Sequence, residues 1–242
     1  MNPKLSIILP CYNEAGNLPL IVARLREAFG ARPDVEVVLV NNGSRDATAE
    51  ILAKELADPA LAFIRVEQVP VNRGYGFGIV HGLRAARGEF LAWTHADMQT
   101  DPADVLLGWE RMLAQPDPAQ VFVKGCRRGR NPWDVLFTLG MSLISSACLG
   151  VWLQDINAQP KIFSRRFFER MKSPPDDFSL DLYAYYLART AGFQLLLQPV
   201  NFPKRRHGEA KGGATFAGKV RLLKRTWAYI FKLRREIARG QR

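Results

Sequence analysis

Three groups of residues in this 242-residue chain have types and spacings that could do chemistry. The first is His95-Ala96-Asp97-Met98-Gln99, which follows the apolar run Phe90–Thr94 and precedes a helix expected to open at Pro102. Alternate residues leaving a strand end face the same way, so positions 95, 97 and 99 can converge on one cation. A carboxylate, an imidazole and an amide oxygen suit Mn2+ or Mg2+ holding a diphosphate. The competing reading makes Asp101 the N-cap of the next helix and the others turn residues. The second group, Asn72-Arg73-Gly74-Tyr75-Gly76-Phe77-Gly78, opens a helix. Its glycines let a ligand approach the backbone, and a helix N-terminus favours anions. The GxGxG spacing is not a dinucleotide fingerprint, and helix-entry packing explains it more simply. The third, residues 205–213, puts Arg205, Arg206 and Lys211 in a glycine-bearing loop. Arg can fork onto a phosphate there while Lys acts as a point charge; a basic loop without function is the alternative.

The elements that must position these groups alternate between strand and helix patterns. Leu5–Leu9, Val35–Val40, Ala62–Val66 and Phe90–Thr94 read as buried strands. Leu18, Ile21, Val22, Leu25 and Phe29 repeat at helical spacing, as do Ile51, Leu52 and Leu56. Such alternation predicts an α/β fold with a largely parallel sheet, whose ligands bind beyond the carboxyl ends of the strands. Tyr12-Asn13-Glu14, Asn41–Asp46 and His95–Asp101 all fall at those ends. Val135–Leu153 carries no charge over a length that could span a bilayer. It lies between two parts of one expected site, which a span would put on opposite sides, so a buried or membrane-surface helix is expected. From Thr215 the tail reads as an amphipathic helix, with Phe216, Val220, Leu223, Trp227, Ile230 and Phe231 on one face. The expected organisation is therefore a catalytic domain over 1–213 and a basic helix over 214–242.

Charge supports that division. The net +11 arises entirely from residues 204–242, where thirteen Lys/Arg face only Glu209 and Glu236. Such a block suits an anionic surface, here phospholipid through the C-terminal helix, or else the helix docks on its own domain. No stacking platform or nucleic-acid motif accompanies it, so nucleic acid is not the expected partner. The three cysteines are scattered without a CxxC pair, which favours a reducing compartment over a disulfide or zinc framework. The short run ended by Pro10 is not a signal peptide. The expected location is cytoplasmic, peripheral on the inner face of the membrane.

The groups occur in a telling order: SIILPCYNEAGNL (6–18), VVLVNNGSRDAT (37–48), NRGYGFG (72–78), THADMQTDP (94–102), DINAQPKIFSRR (155–166) and RRHGEAKGG (205–213). In these the chain resembles family-2 glycosyltransferases of the GT-A fold, nearest the dolichyl-phosphate mannose synthase-like branch. That resemblance implies a nucleotide-binding α/β fold whose mixed, mostly parallel central sheet is flanked by helices. It implies an inverting transfer from a UDP- or GDP-linked sugar to a lipid-phosphate or glycan acceptor. Pro10, Tyr12 and Glu14 with Asp46 would border base and ribose, with Asn42 and Gly74 also on the donor side. His95, Asp97 and Gln99 would hold Mn2+ or Mg2+, Arg127 would lie near the transferred group, and Arg205 and Lys211 would hold phosphates on a closing loop.

The chain also departs from the family pattern. The usual Asp-x-Asp reads His95-Ala96-Asp97, which predicts weaker Mg2+ binding because imidazole favours Mn2+. Asp155-Ile156-Asn157-Ala158-Gln159-Pro160-Lys161 replaces a segment often written Asp-x-x-Ser-Gly-Phe-Arg. Residues 135–153 lack the basic residue common in the lipid-phosphate branch, which argues against a polyprenyl phosphate in particular. A hydroxyl acceptor would need a carboxylate base, for which Asp155 and Asp181 are the candidates; Asp181 could alternatively lie on a solvated helix face. The altered triplet also leaves open a catalytically inactive nucleotide-sugar-binding or membrane-scaffold protein.

Overall fold

The apolar runs resolve into a seven-stranded sheet in the computed structural model, which describes residues 2–202 and 216–238. The first half comprises β1 (Leu5–Cys11), α1 (Leu18–Phe29), β2 (Val35–Asn42), α2 (Thr48–Glu55), β3 (Ile64–Val69), α3 (Tyr75–Ala85) and β4 (Phe90–Trp93). There follow α4 (Ala103–Leu113), β5 (Val121–Arg128), α5 (Pro132–Leu149), β6 (Lys161–Ser164), α6 (Arg165–Glu169), α7 (Ser179–Thr190), β7 (Gln194–Asn201) and α8 (Phe216–Ala238). The strand order is β3-β2-β1-β4-β6-β5-β7. Only β6 runs against its neighbours, β4 and β5, so the sheet is mixed and mostly parallel, as expected.

The side-chain period of a strand divides the core into two layers. Leu5, Ile7, Leu9, Val37 and Leu39 pack under α1 and α4, against Leu25 and Trp109. Ile8, Val38 and Val40 face the other way, into a layer closed by Leu83 of α3, Tyr185 of α7 and Ile230 of α8. Because both faces are covered, the inner strands read as unbroken apolar runs.

Several boundaries differ from expectation. β3 begins at Ile64 rather than Ala62, because the Asp58 carboxylate accepts the Ala60 N–H and folds 59–61 into a tight turn that buries Leu61. Pro102 precedes α4 rather than opening it. The N-cap is Pro102 itself, without a side-chain cap, and not the Asp101 of the competing reading; Asp101 accepts the Ala103 N–H at 2.9 Å from one position earlier and forks with Arg24. The single apolar face read in the tail is divided in α8. Ile230 is buried together with Tyr229 and Leu233, whereas Trp227 and Phe231 stay exposed. The cause is helical geometry: consecutive residues lie about 100° apart around the axis, so Ile230 faces the domain while Phe231 turns away from it. The boundary expected at 213 lies outside the described residues.

Candidate active site

The loops after β1 and β2 are laced together at the carboxyl end of the sheet. The Asn13 N–H donates to Ser44 Oγ at 3.0 Å, and Asn13 Oδ1 accepts the Arg45 N–H at 2.8 Å. Glu14 N–H donates to Thr48 Oγ1, and Glu14 Oε2 accepts from Asn17 Nδ2 at 2.6 Å. Asp46 accepts from the Ala15 N–H and from both Thr48 groups. Burial pushes its carboxyl up, but these hydrogen bonds outweigh that and hold it below its ordinary value. Pro10, Tyr12 and Glu14 are half-buried along this rim, and Asp46 is exposed beside it.

Asn42 ends β2 with its amide Nδ2 donating to the Gly74 carbonyl at 2.9 Å. Its Oδ1 is buried with no partner among the described residues. Gly74 has a φ of +118°, and a Cβ there would lie 2.4 Å from the Asp176 carbonyl oxygen. Backbone conformation and the close approach of the 175–177 loop therefore both require glycine. This is the helix-entry packing considered above.

At the end of β4, Thr94 and Thr100 share a hydroxyl hydrogen bond of 3.0 Å that closes the loop between them. Asp97 is buried, and its Oδ1 accepts the Gln99 N–H at 3.0 Å. Met98 takes a φ of +60° to make that turn. His95 and Gln99 are half-buried, and the His95 ring lies 6.1 Å from that of Tyr75. Among the described residues no group of three or more His, Cys, Asp or Glu forms a metal cluster. His95, Asp97 and Gln99 share this loop, and an imidazole, a carboxylate and an amide are donor types that could hold Mn2+.

Asp155 and Arg127 come together as the tightest group of the site. Arg127 gives Asp155 its N–H and Nε–H, each at 2.9 Å, and a short contact from Nη2. Arg130 approaches the same carboxylate at 3.5 Å. Burial raises the Asp155 carboxyl, but Arg127 holds it below its ordinary value. Burial and the neighbouring Arg127 in turn lower the Arg130 guanidinium. Asp155 has a φ of +45°, a conformation costing roughly 1–3 kcal/mol. Three partners hold it there: its N–H donates to Ser142 Oγ of α5, its carbonyl accepts from Lys124 Nζ, and its carboxylate takes Arg127.

Beneath this loop lie two fully buried lysines, Lys124 of β5 and Lys161 of β6, directly paired across the antiparallel strands. Lys124 Nζ donates to the carbonyls of Gly125 and Asp155, both at 2.8 Å. Lys161 Nζ donates to the carbonyls of Ile156 and Ala158 and to Asp181 Oδ1, the last at 2.8 Å. The Asp181 oxygen also accepts from Gln159 Nε2, which reaches the Tyr75 hydroxyl at 3.1 Å. Burial, with the Lys161 charge opposite, brings Lys124 down to about 7. Lys161 is lowered by burial against the pull of Asp181.

The structure thus places Asp155 and Arg127 together, groups His95, Asp97 and Gln99 in one loop, and lines Pro10, Tyr12, Glu14 and Asp46 along one rim. Asp181 does not lie on a solvated face: it is 2% exposed, because α7 turns it inward onto Lys161. Arg205 and Lys211 fall outside the described residues. Lys124, Lys161, Gln159 and Tyr75 were given no role from sequence, although a lysine inside each of two apolar strand patterns was a visible signal.

Solved structures share this architecture. A mannosyltransferase from Pyrobaculum calidifontis, in complex with GDP-Man and Mn2+, superposes with a TM-score of 0.62 at 23% identity, over 85% of this chain and 59% of that one. Glucosyl-3-phosphoglycerate synthase from Mycobacterium tuberculosis gives a TM-score of 0.68 at 17% identity, over 91% of this chain and 78% of that one. Fold and site together define a glycosyltransferase of the GT-A type. Polyprenol monophosphomannose synthase of Mycolicibacterium smegmatis is 31% identical over 85% of this chain and 79% of its own length. An undecaprenyl-phosphate 4-deoxy-4-formamido-L-arabinose transferase of Pseudomonas fluorescens is 28% identical over 85% of this chain, which spans 59% of that protein. The family model of glycosyl transferase family 2 matches residues 6–138, and the chain belongs to that family.

Proposed function

We propose that this chain transfers a glycosyl group from a nucleotide-diphosphate sugar to a polyprenyl phosphate. The observation that carries the reading is the state of two carboxylates, the half-buried Asp155 and the buried Asp181. Asp155 is bound by Arg127 and Asp181 by Lys161, so neither presents a lone base to a sugar hydroxyl. A phosphate monoester, with a second pKa near 6, is already an oxyanion at neutral pH and needs no base. Arg127, Arg128 and Arg130 at the end of β5 supply cationic groups for it, which answers the lack of a basic residue over 135–153. The two relatives described above carry polyprenyl-phosphate chemistry in their names, in line with this acceptor.

In this reading the acceptor oxygen attacks the anomeric carbon while the bond to the diphosphate breaks on the opposite face. Residues of the β1 and β2 loops border the nucleotide, with Asn42 Oδ1 an available acceptor for it. A divalent cation held by His95, Asp97 and Gln99 would supply positive charge to the leaving diphosphate. Asp155 positions Arg127 and keeps its guanidinium oriented.

The test pairs UDP- and GDP-linked sugars with undecaprenyl phosphate and with the unphosphorylated alcohol, with Mn2+ present. Product from the phosphate alone, lost in Asp97→Asn, is expected. Equal transfer to the alcohol would overturn the phosphate reading. Metal-dependent nucleotide binding without product would bring forward the inactive binding protein.

A further inference from the structure

Tyr75 opens α3 within the glycine-bearing segment, and the close packing of that segment fixes its ring. A Cβ on Gly76 would lie 2.2 Å from the Pro175 carbonyl oxygen, just as one on Gly74 would crowd that of Asp176. The Phe77 N–H donates to the same Asp176 carbonyl at 3.0 Å. The two segments therefore interlock. Phe178, at the entry of α7, is thereby laid on the Tyr75 ring with centroids 4.7 Å apart and planes 12° from parallel.

The hydroxyl end of the ring is held as well. Gln159 is 1% exposed, and its Nε2 donates to Asp181 Oδ1 at 2.7 Å and to the Tyr75 hydroxyl at 3.1 Å. Asp181 is itself held by Lys161 at 2.8 Å. An ionised carboxylate only accepts, so it draws the amide nitrogen of Gln159 toward itself and Tyr75. Burial, then the charges of Asp181 and Asp97, push the Tyr75 hydroxyl well above its ordinary value, so it stays a neutral phenol. The ring is thus locked across its face by α7 and at its tip by the 155–160 loop.

His95 has no such support of its own. Neither of its ring nitrogens has a hydrogen-bond partner among the described residues. Its one ring contact there is with Tyr75, at 6.1 Å between centroids and 36° between planes. A metal-binding histidine is ordinarily oriented by a hydrogen bond to its second nitrogen. In this loop a packed aromatic ring stands in that place.

We propose that Tyr75 is a positioning residue for His95: its ring, locked by Phe178 and Gln159, sets the orientation in which the imidazole meets the donor diphosphate and its cation. The inference rests on the reading that places a divalent cation at this loop. It also gives the glycines at 74 and 76 a purpose, since without them the 175–178 segment could not reach Tyr75. Gln159 and Asp181 then act on the donor side through Tyr75, although they sit behind the acceptor loop.

The test reads cation binding rather than turnover. Mn2+ is titrated into the full chain with GDP or UDP present, and loss of the free-ion electron paramagnetic resonance signal reports binding. Pulsed measurements on the bound ion report nitrogen coupling from an imidazole. The parent should show that coupling, and His95→Ala should abolish it. Tyr75→Leu and Gln159→Ala should each weaken Mn2+ binding by about tenfold to a hundredfold, the range for residues that support a metal ligand. Neither should weaken it further once His95→Ala is present. Tyr75→Phe keeps the stack on Phe178 and loses only the hydroxyl, so its fold is the safest of the set. It should show the same dependence on His95 with a smaller loss. Equal losses with and without His95 would make Tyr75 merely structural and overturn the inference, as would parental binding and coupling in Tyr75→Phe. Parental Mn2+ binding by His95→Ala would also overturn it, and Asp97→Ala then separates the two readings. Loss of Mn2+ in Asp97→Ala would leave the cation site standing without His95, whereas parental binding there would remove the site too. A parent that binds no Mn2+ with either nucleotide overturns both.

Discussion

Replacing Lys161 by Met tests whether the buried lysine layer holds the site loop. Lys161 is fully buried, and its ammonium donates to two carbonyls of the 156–158 segment and to Asp181. Met keeps most of the volume but takes the ammonium away from the buried Asp181 carboxylate, which keeps the Gln159 Nε2 hydrogen bond at 2.7 Å and has no cationic partner from Lys161. Breaking one half of a buried ion pair costs about 3–5 kcal/mol. Relief of the like charge on Lys124, directly opposite in the sheet, returns up to about 1 kcal/mol. The net loss of roughly 2–4 kcal/mol corresponds to a Tm fall of about 4–16 °C for a chain of this size. Urea unfolding followed by tryptophan fluorescence reads it directly. The double variant Lys161→Met/Asp181→Leu should recover much of the loss, since no unpaired charge is then left inside. A single variant costing less than about 1 kcal/mol, or a double variant no better than the single, would refute the reasoning.

Lys124→Met should alter the pH dependence of stability. The folded ammonium titrates at about 7 against an ordinary 10.5. Between those values the unfolded chain binds the extra proton, so this group makes stability rise with pH across that window. The parent Tm minus the variant Tm should therefore increase from pH 7 to pH 9, and a flat difference would contradict it. Gly74→Ala should destabilise by about 2 kcal/mol or more, because it adds a Cβ at positive φ against the Asp176 carbonyl; denaturant midpoints check this. Arg127→Lys should keep the charge but lose the fork onto Asp155, raising the KM for a phosphate acceptor at least about tenfold with donor affinity unchanged. Ser142→Ala should cost about 1–2 kcal/mol by leaving the Asp155 N–H without its acceptor, measured by thermal unfolding.

The first four strands and the helices between them were legible because a sheet covered on both faces leaves apolar runs, as in β1 and β2, whereas β5, β6 and β7 were not read as strands. The polar loops at Tyr12, Asp46 and Asp97 were legible because their places after strands put them at one end of such a sheet. The lysine layer was not. Lys124 and Lys161 are far apart in sequence and meet only because β6 enters the sheet antiparallel between β4 and β5. The pattern of alternating strands and helices predicts parallel neighbours and gives no hint of that reversal. Asp181 was ambiguous for a related reason: helical spacing gives the faces of α7 but not which of them meets β6.

One face of α5 holds the 153–155 loop. The backbone of that loop hangs from Ser142 and Ser146, while the side chain of Asp155 orients Arg127. The small polar residues of α5 follow from this demand. Ser and Thr satisfy loop backbone without separating helix from loop, whereas larger polar groups would push the helix away from the sheet. An uncharged stretch diluted by serine and threonine therefore fits a helix with one face toward protein backbone better than it fits a membrane span.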